Sequence, residues 1–179
     1  MATQNYALID DVFTPFKSAH LKIKVAKSAW EKQGYFQLRK QIFSQEQKLL
    51  PNNEKDAEDF RAIAIIALAN AWSIGDDIVG AVRIFQSQHE VNTWYGGRLC
   101  VNQTYRRHLG IGKALINEAV SLAKDQGCEN FLANVQVQNE KYFQQLYWQS
   151  IESCDIAGHP HILMKAQMDK YPIMSRDTV

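Results

Sequence analysis

The chain has 179 residues, 46% of them hydrophobic and 22% charged, with a formal net charge of +1. That length fits one domain of ordinary size with a substantial core, and the composition excludes global disorder. The near-neutral balance gives no electrostatic reason to expect a nucleic-acid or membrane partner.

Residues Met1 to Asp11 lack a basic region followed by a long apolar stretch, so they do not read as a signal peptide. The longest clean apolar run, Ala62 to Ala69, is far shorter than the ~20 residues that span a bilayer. A cytoplasmic protein is the expectation. Residues 1–19 are weakly patterned and read as an N-terminal arm. Leu21 to Ala26 alternates apolar and basic residues, as a half-buried strand does. Ser28 is a candidate cap for a helix over Trp30 to Gln47, where Phe36, Leu38, Ile42 and Phe43 recur at helical spacing. Pro51-Asn52-Asn53 breaks that pattern, and Glu54 to Asp59 reads as an acidic loop.

Three strand-like segments follow. Ala62–Ala69 is apolar on both faces, as a central strand is. Gly75-Asp76-Asp77 signals a turn before the strand Ile78–Gln86. Thr93–Val101 is the third strand, and its paired Gly96 and Gly97 suggest a bulge or a close backbone approach. After Gly112 the period changes. Leu115, Ala119, Leu122 and Ala123 mark one face of a helix closed by Gly127. Phe131–Gln136 reads as a strand, Asn139 to Tyr147 as a short helix, and Ser150–Ile156 with His161–Met168 as a hairpin turned at Gly158-His159-Pro160. The domain therefore spans 20–168, with a loosely held tail over 169–179. This order predicts an α/β protein with a mixed, mostly antiparallel sheet flanked by helices, rather than alternating βαβ units. The three cysteines, Cys100, Cys128 and Cys154, have no CxxC spacing and read as reduced and structural. Cys100 is the one close to the main motif, where a nucleophilic role competes with that of a small core residue.

The most informative segment is Arg107-His108-Leu109-Gly110-Ile111-Gly112-Lys113-Ala114, which follows a strand and opens the long amphipathic helix. Two glycines let the backbone turn tightly and approach a ligand. The first helical turn carries amides without internal partners at the positive end of the macrodipole, a natural phosphate site. Arg106, Arg107 and Lys113 add positive charge. A dinucleotide fingerprint would need glycine where Leu115 stands, and a Walker A loop would need a hydroxyl where Ala114 stands.

With the L-x-V strand before it, this pattern resembles the central motif of the GNAT superfamily of acyl-CoA-dependent N-acyltransferases, over residues 98–127. The resemblance implies a sheet splayed at the cofactor site. It implies that amides from His108 to Lys113, including Leu109, Gly110, Ile111 and Gly112, hold the pyrophosphate of acetyl-CoA. Leu99, Cys100 and Val101 would then offer backbone groups to the pantetheine arm, with Gln136 and Phe143 also along the cofactor. A narrower resemblance, to a small bacterial and cyanobacterial GNAT group found in nitrilase gene clusters, rests on residues 38–47, 94–101, 134–148 and 158–166. It leaves the acceptor open.

One departure matters. The family often has a tyrosine in the C-terminal helix that protonates the departing thiolate, and Phe143 stands there in Tyr142-Phe143-Gln144-Gln145-Leu146-Tyr147-Trp148. Tyr142 is the substitute acid, with Tyr147 behind it. A thiol of pKa ~8.5 is also a tolerable leaving group as its anion. The implied reaction is direct attack of a primary amine on the thioester, with amides near Leu99–Val101 polarising the carbonyl and a carboxylate or histidine taking the amine proton. Glu46, Asp56 and Asp59 are the carboxylate candidates, against the alternative of a solvated acidic loop. Arg83 and Arg98 sit within apolar strands, where each either pairs with a carboxylate or binds an anionic substrate group. Arg98, Trp94 and His161 are the candidate acceptor-side residues, with Tyr95 and His159 beside them. His159-Pro160-His161 lacks the further ligands a metal would need, so no metal is expected. The expected partners are acetyl-CoA and an amine-bearing acceptor, with a homodimer left open. Two other functions compete: a catalytically silent acyl-CoA-binding module, and an acyltransferase using longer acyl-CoA donors, akin in fold to acyl-homoserine lactone synthases.

Overall fold

In a computed structural model, residues 21–50, 55–71, 75–106 and 110–171 are described. They form a seven-stranded sheet in the order β1-β2-β3-β4-β5-β7-β6. The strands are β1 (Leu21–Val25), β2 (Ile63–Ala71), β3 (Gly75–Gln86), β4 (Thr93–Val101), β5 (Asn130–Gln136), β6 (Trp148–Ile156) and β7 (His159–Ala166). Every neighbouring pair is antiparallel except β4 and β5. The α/β sheet expected from the sequence is the one observed. Among the described residues no helix is long and apolar enough to cross a membrane.

Helix α1 (Ala29–Arg39) begins in a capping box, in which Ser28 accepts from the Glu31 amide and Glu31 from the Ser28 amide. The expected continuous helix to Gln47 is not α-helical throughout, because Lys40–Glu46 widens into a π-helical turn. Gly34 allows α1 to press on the sheet, since a Cβ there would sit 2.5 Å from the Ile78 side chain. The α1 face of the sheet buries Tyr35, Leu38, Ile42 and Phe43 against Ile66, Leu68, Ala81 and Cys100. The opposite face packs on α2 (Ile111–Asp125), whose Leu115, Ala119, Val120 and Ala123 meet β-strand residues such as Ile65, Phe131 and Met164. Each fully buried Leu or Val of this kind contributes about 1.5–3 kcal/mol. Helix α3 (Glu140–Gln145) covers the far end beside β6.

Three boundaries differ from expectation. Gly75, Asp76 and Asp77 are paired in β3 rather than turning, because the hairpin with β2 runs on to Ala71 opposite Gly75. The β6–β7 turn is Ala157-Gly158, both with positive φ (53° and 77°), and it leaves His159 and Pro160 in β7. Two left-handed residues match the strand twist of a two-residue hairpin. Past residue 168 the chain is still anchored: Tyr171 is buried, its hydroxyl accepts from Trp148 at 3.0 Å, and Lys124 donates to the Met168 and Tyr171 carbonyls.

Candidate active site

The site begins where β4 and β5 part. They pair in parallel only from Thr93–Asn130 to Gly96–Ala133. Beyond that point the two strands no longer pair, and a cleft opens between them, lined on the β4 side by Arg98 and Leu99 and on the β5 side by Asn134, Val135 and Gln136. On its other edge β4 carries one extra residue: Ala81 faces Cys100 and Arg83 faces Gly97, leaving Arg98 and Leu99 opposite Val82 alone. Arg98 takes the left-handed conformation (φ 55°) that such a bulge requires. The bulge keeps Trp94 and Gly96 towards α2 yet turns Arg98 to the α1 face, where its guanidinium lies 5.9 Å from the Phe43 ring centroid. The resulting cleft holds about 930 Å³, part of it continuous with solvent. Phe43, Leu49, Arg98, Gln136 and His161 line its α1 side, and Ile116, Ala119, Phe131, Phe143 and Trp148 its floor.

Helix α2, whose Ile116 and Ala119 line the cleft, starts at the Gly110 turn. Gly110 caps it with φ 62°, and a Cβ there would meet nothing within 4 Å, so the turn needs glycine for its backbone rather than for space. The Gly110 carbonyl accepts from the Ala114 amide, and the amides of Ile111, Gly112 and Lys113 have no carbonyl within the helix to bind. Arg107, His108 and Leu109, which were expected to share this role, lie outside the described residues. The Tyr142 hydroxyl lies over the same turn, 3.2 Å from where a Gly112 Cβ would be. Burial raises its pKa above the usual 10.0, so it stays a neutral donor.

Within the described part of the acidic loop, Asp56 and Asp59 are not left to solvent but are paired with arginines. Arg39, fully buried, donates to Tyr35 at 2.6 Å and to both Asp59 oxygens at 2.6 and 3.0 Å. Arg83 grips both Asp56 oxygens at 2.6 and 2.7 Å and reaches Asp59 at 2.8 Å. Arg98 donates to Asp56 at 3.0 Å. Burial alone would raise the Asp59 pKa, but hydrogen bonds from Arg39 and Arg83 outweigh it and hold it at about 2. Asp56 is lowered against the same burial, chiefly by Arg83. Such carboxylates are poor proton acceptors. Glu46 is also engaged: Arg106 forks onto it at 2.5 and 2.9 Å, while the Arg106 Nε donates to the Val101 carbonyl at 2.9 Å. Beside that pair, Gln136 donates to Gln47 at 3.3 Å across the cleft mouth.

A family model for the acetyltransferase (GNAT) family matches residues 28–147. The chain belongs to the GNAT family of acetyltransferases. It is 27% identical over 151 residues to a Bacillus subtilis (strain 168) protein assigned as an acetyltransferase, covering 83% of this chain and 98% of that one. Among solved structures it resembles an N-acetyltransferase of Lactobacillus plantarum (TM-score 0.72, 19% identity, 83% of this chain and 98% of the other). It also resembles Escherichia coli ElaA (TM-score 0.70, 20% identity, 83% and 100%). Acyl transfer from coenzyme A therefore follows from membership.

Within this acetyltransferase the expected residues divide. Leu99, Gln136, Phe143, Arg98 and His161 come together at the cleft. Cys100 is 4% exposed and packs in the α1-side core, so only its backbone is at hand. Trp94 packs in the α2-side core and is not among the cleft-lining residues, while Tyr95 stacks on Phe85 at 5.8 Å away from it. Tyr142 is at the α2 turn rather than in the cleft, and Tyr147 is exposed. Phe143 packs edge-on against Trp148 at 5.2 Å. Asn134, on the same face as Gln136, is a lining residue absent from the expected set. Alternation along the strand was its only signal.

Proposed function

We propose that the protein transfers an acetyl group from acetyl-CoA to a primary amine by direct attack. The gap between β4 and β5 carries this reading, because it opens a cleft between the strand holding Leu99 and the helix α2 that begins at the Gly110 turn. In this reading the first-turn amides of α2, helped by the 107–109 segment, hold the pyrophosphate. Leu99 to Val101 receive the pantetheine arm and polarise the carbonyl. The thiolate leaves as its anion, since Phe143 has no proton to give. The acceptor enters over Arg98, Asn134 and His161. The kinship with the nitrilase-cluster group is part of the same proposal and rests on the same four segments.

A second reading has its own support: the cleft floor is apolar, formed by Ile116, Ala119, Phe131, Phe143 and Trp148, and suits an acyl chain longer than acetyl. Two measurements decide. Coenzyme A should raise the melting temperature by mass action, and Gly112→Leu should abolish that rise while the protein stays folded. Thiol release from acetyl-, butyryl- and hexanoyl-CoA across a panel of primary amines should be fastest with acetyl-CoA. Faster release from the longer donors would favour the second reading, and binding without release would leave a silent acyl-CoA module.

A further inference from the structure

The amine must lose a proton during attack, and the carboxylates the sequence offers for that task are committed to arginines: Asp56 to Arg83 and Arg98, Asp59 to Arg39 and Arg83, Glu46 to Arg106. Two histidines, His159 and His161, line the cleft, and His161 has its ring tied to the backbone. His161 Nδ1 lies 2.8 Å from the carbonyl oxygen of His159. A carbonyl can only accept, so Nδ1 carries the proton. In the neutral ring Nε2 then holds the lone pair, with its tautomer fixed by the backbone. Position agrees with this chemistry. His161 is half-buried and lines the cleft, and it pairs in register with Gln136 on β5 and Cys154 on β6. Its strand alternates, with Ile162, Met164 and Ala166 in the α2-side core and His161 on the opposite face. The described part of α1 packs over β2, β3 and β4, and none of the buried residues of the α1-side core comes from β5, β6 or β7. His161 thus stands on the stretch of sheet that α1 leaves uncovered, at the edge of the β4–β5 gap.

We infer that His161 is the general base of the reaction, with Nε2 as the accepting atom; this rests on the acetyl-transfer reading above. The amine nitrogen attacks the thioester carbonyl, and the new C–N bond forms as Nε2 takes the nitrogen-bound proton. The C–S bond then breaks, the electron pair leaves with sulfur, and the imidazolium returns the proton to the thiolate or to water. The products are the amide and the free thiol, and nothing is oxidised or reduced. The return path also suits a protein with phenylalanine where a tyrosine would protonate the sulfur.

The experiment uses the full chain, acetyl-CoA and the amine turned over best in the panel. His161→Gln should lower kcat roughly 100-fold or more, within the range of general-base contributions. The KM for acetyl-CoA and the melting-temperature rise with coenzyme A should stay unchanged. His161→Ala should show the same loss, and added imidazole should restore part of its rate while leaving the unsubstituted protein unaffected. A His161→Gln enzyme within a few-fold of full kcat overturns the inference, as does a His161→Ala enzyme that imidazole fails to rescue. Absence of turnover with every amine overturns the acetyl-transfer reading itself, whereas slow variants of an active enzyme speak only to His161.

Discussion

The two halves of the sheet are built on different terms. From β2 to β4 both faces carry buried residues, and four charges that enter this half, Arg39, Arg83, Asp56 and Asp59, are locked in a mutual cluster. On β5 and β7 the α2 face is equally dry, but the other face presents Asn134, Gln136 and His161, each exposed or half-buried. The lesson concerns titratable groups. Under a helix, an unmatched charge is too costly to keep, so carboxylates are paired and lose their value as bases. Where no described helix covers the sheet, an imidazole can stand with one backbone hydrogen bond. The seam between the halves is the bulge in β4, which places Arg98 partly in each.

That contrast can be broken at its covered end first. Asp59→Ala removes the carboxylate that both arms of the buried Arg39 grip, and should cost about 3–5 kcal/mol in urea unfolding. His161→Ala, on the stretch of sheet that α1 leaves uncovered, should cost under about 0.5 kcal/mol. Equal losses would erase the distinction. Acid sharpens it next. The Asp59 pKa is lowered from 3.8 to about 2 on folding, so its stabilisation is present above 3.8 and is lost as pH falls through about 2. Unfolding midpoints measured across that window should fall for the natural protein and much less for Asp59→Asn.

Smaller effects test the cofactor end. Tyr142→Phe removes one hydroxyl beside Gly112. If it bonds a phosphate oxygen, the KM for acetyl-CoA should rise about fivefold, the equivalent of about 1 kcal/mol. In that case kcat and the basic limb of the pH–rate profile stay as they are. A fall in kcat with a shifted basic limb would instead restore Tyr142 as the general acid. The smallest change is expected for Glu46→Gln. Exposed ion pairs contribute about 0–1 kcal/mol, so calorimetry should show little change in melting temperature. The rate should stay within about twofold, and a 100-fold loss would move the base from His161 to Glu46.

Gly110 is legible from the sequence alone. A glycine before an amphipathic run is a local signal, and the observed φ of 62° at the helix start is its local cause. Ser28 and Glu31 form a capping box for the same reason. The acidic loop was less legible, because Asp59 and Arg39 lie 20 residues apart and nothing local announces their contact. Trp94 and Asn134 were sorted to core and cleft by strand register, which propensity does not fix.

The sequence by itself determined the element order, the glycine turn that opens α2 and the family, since each follows from residues close together in the chain. Only the tertiary structure decided which charges are spent in pairs, where β4 leaves β5, and that the two histidines of β7 line the gap. Those depend on long-range register and on which stretch of sheet a helix happens to cover, and neither is written in any short segment.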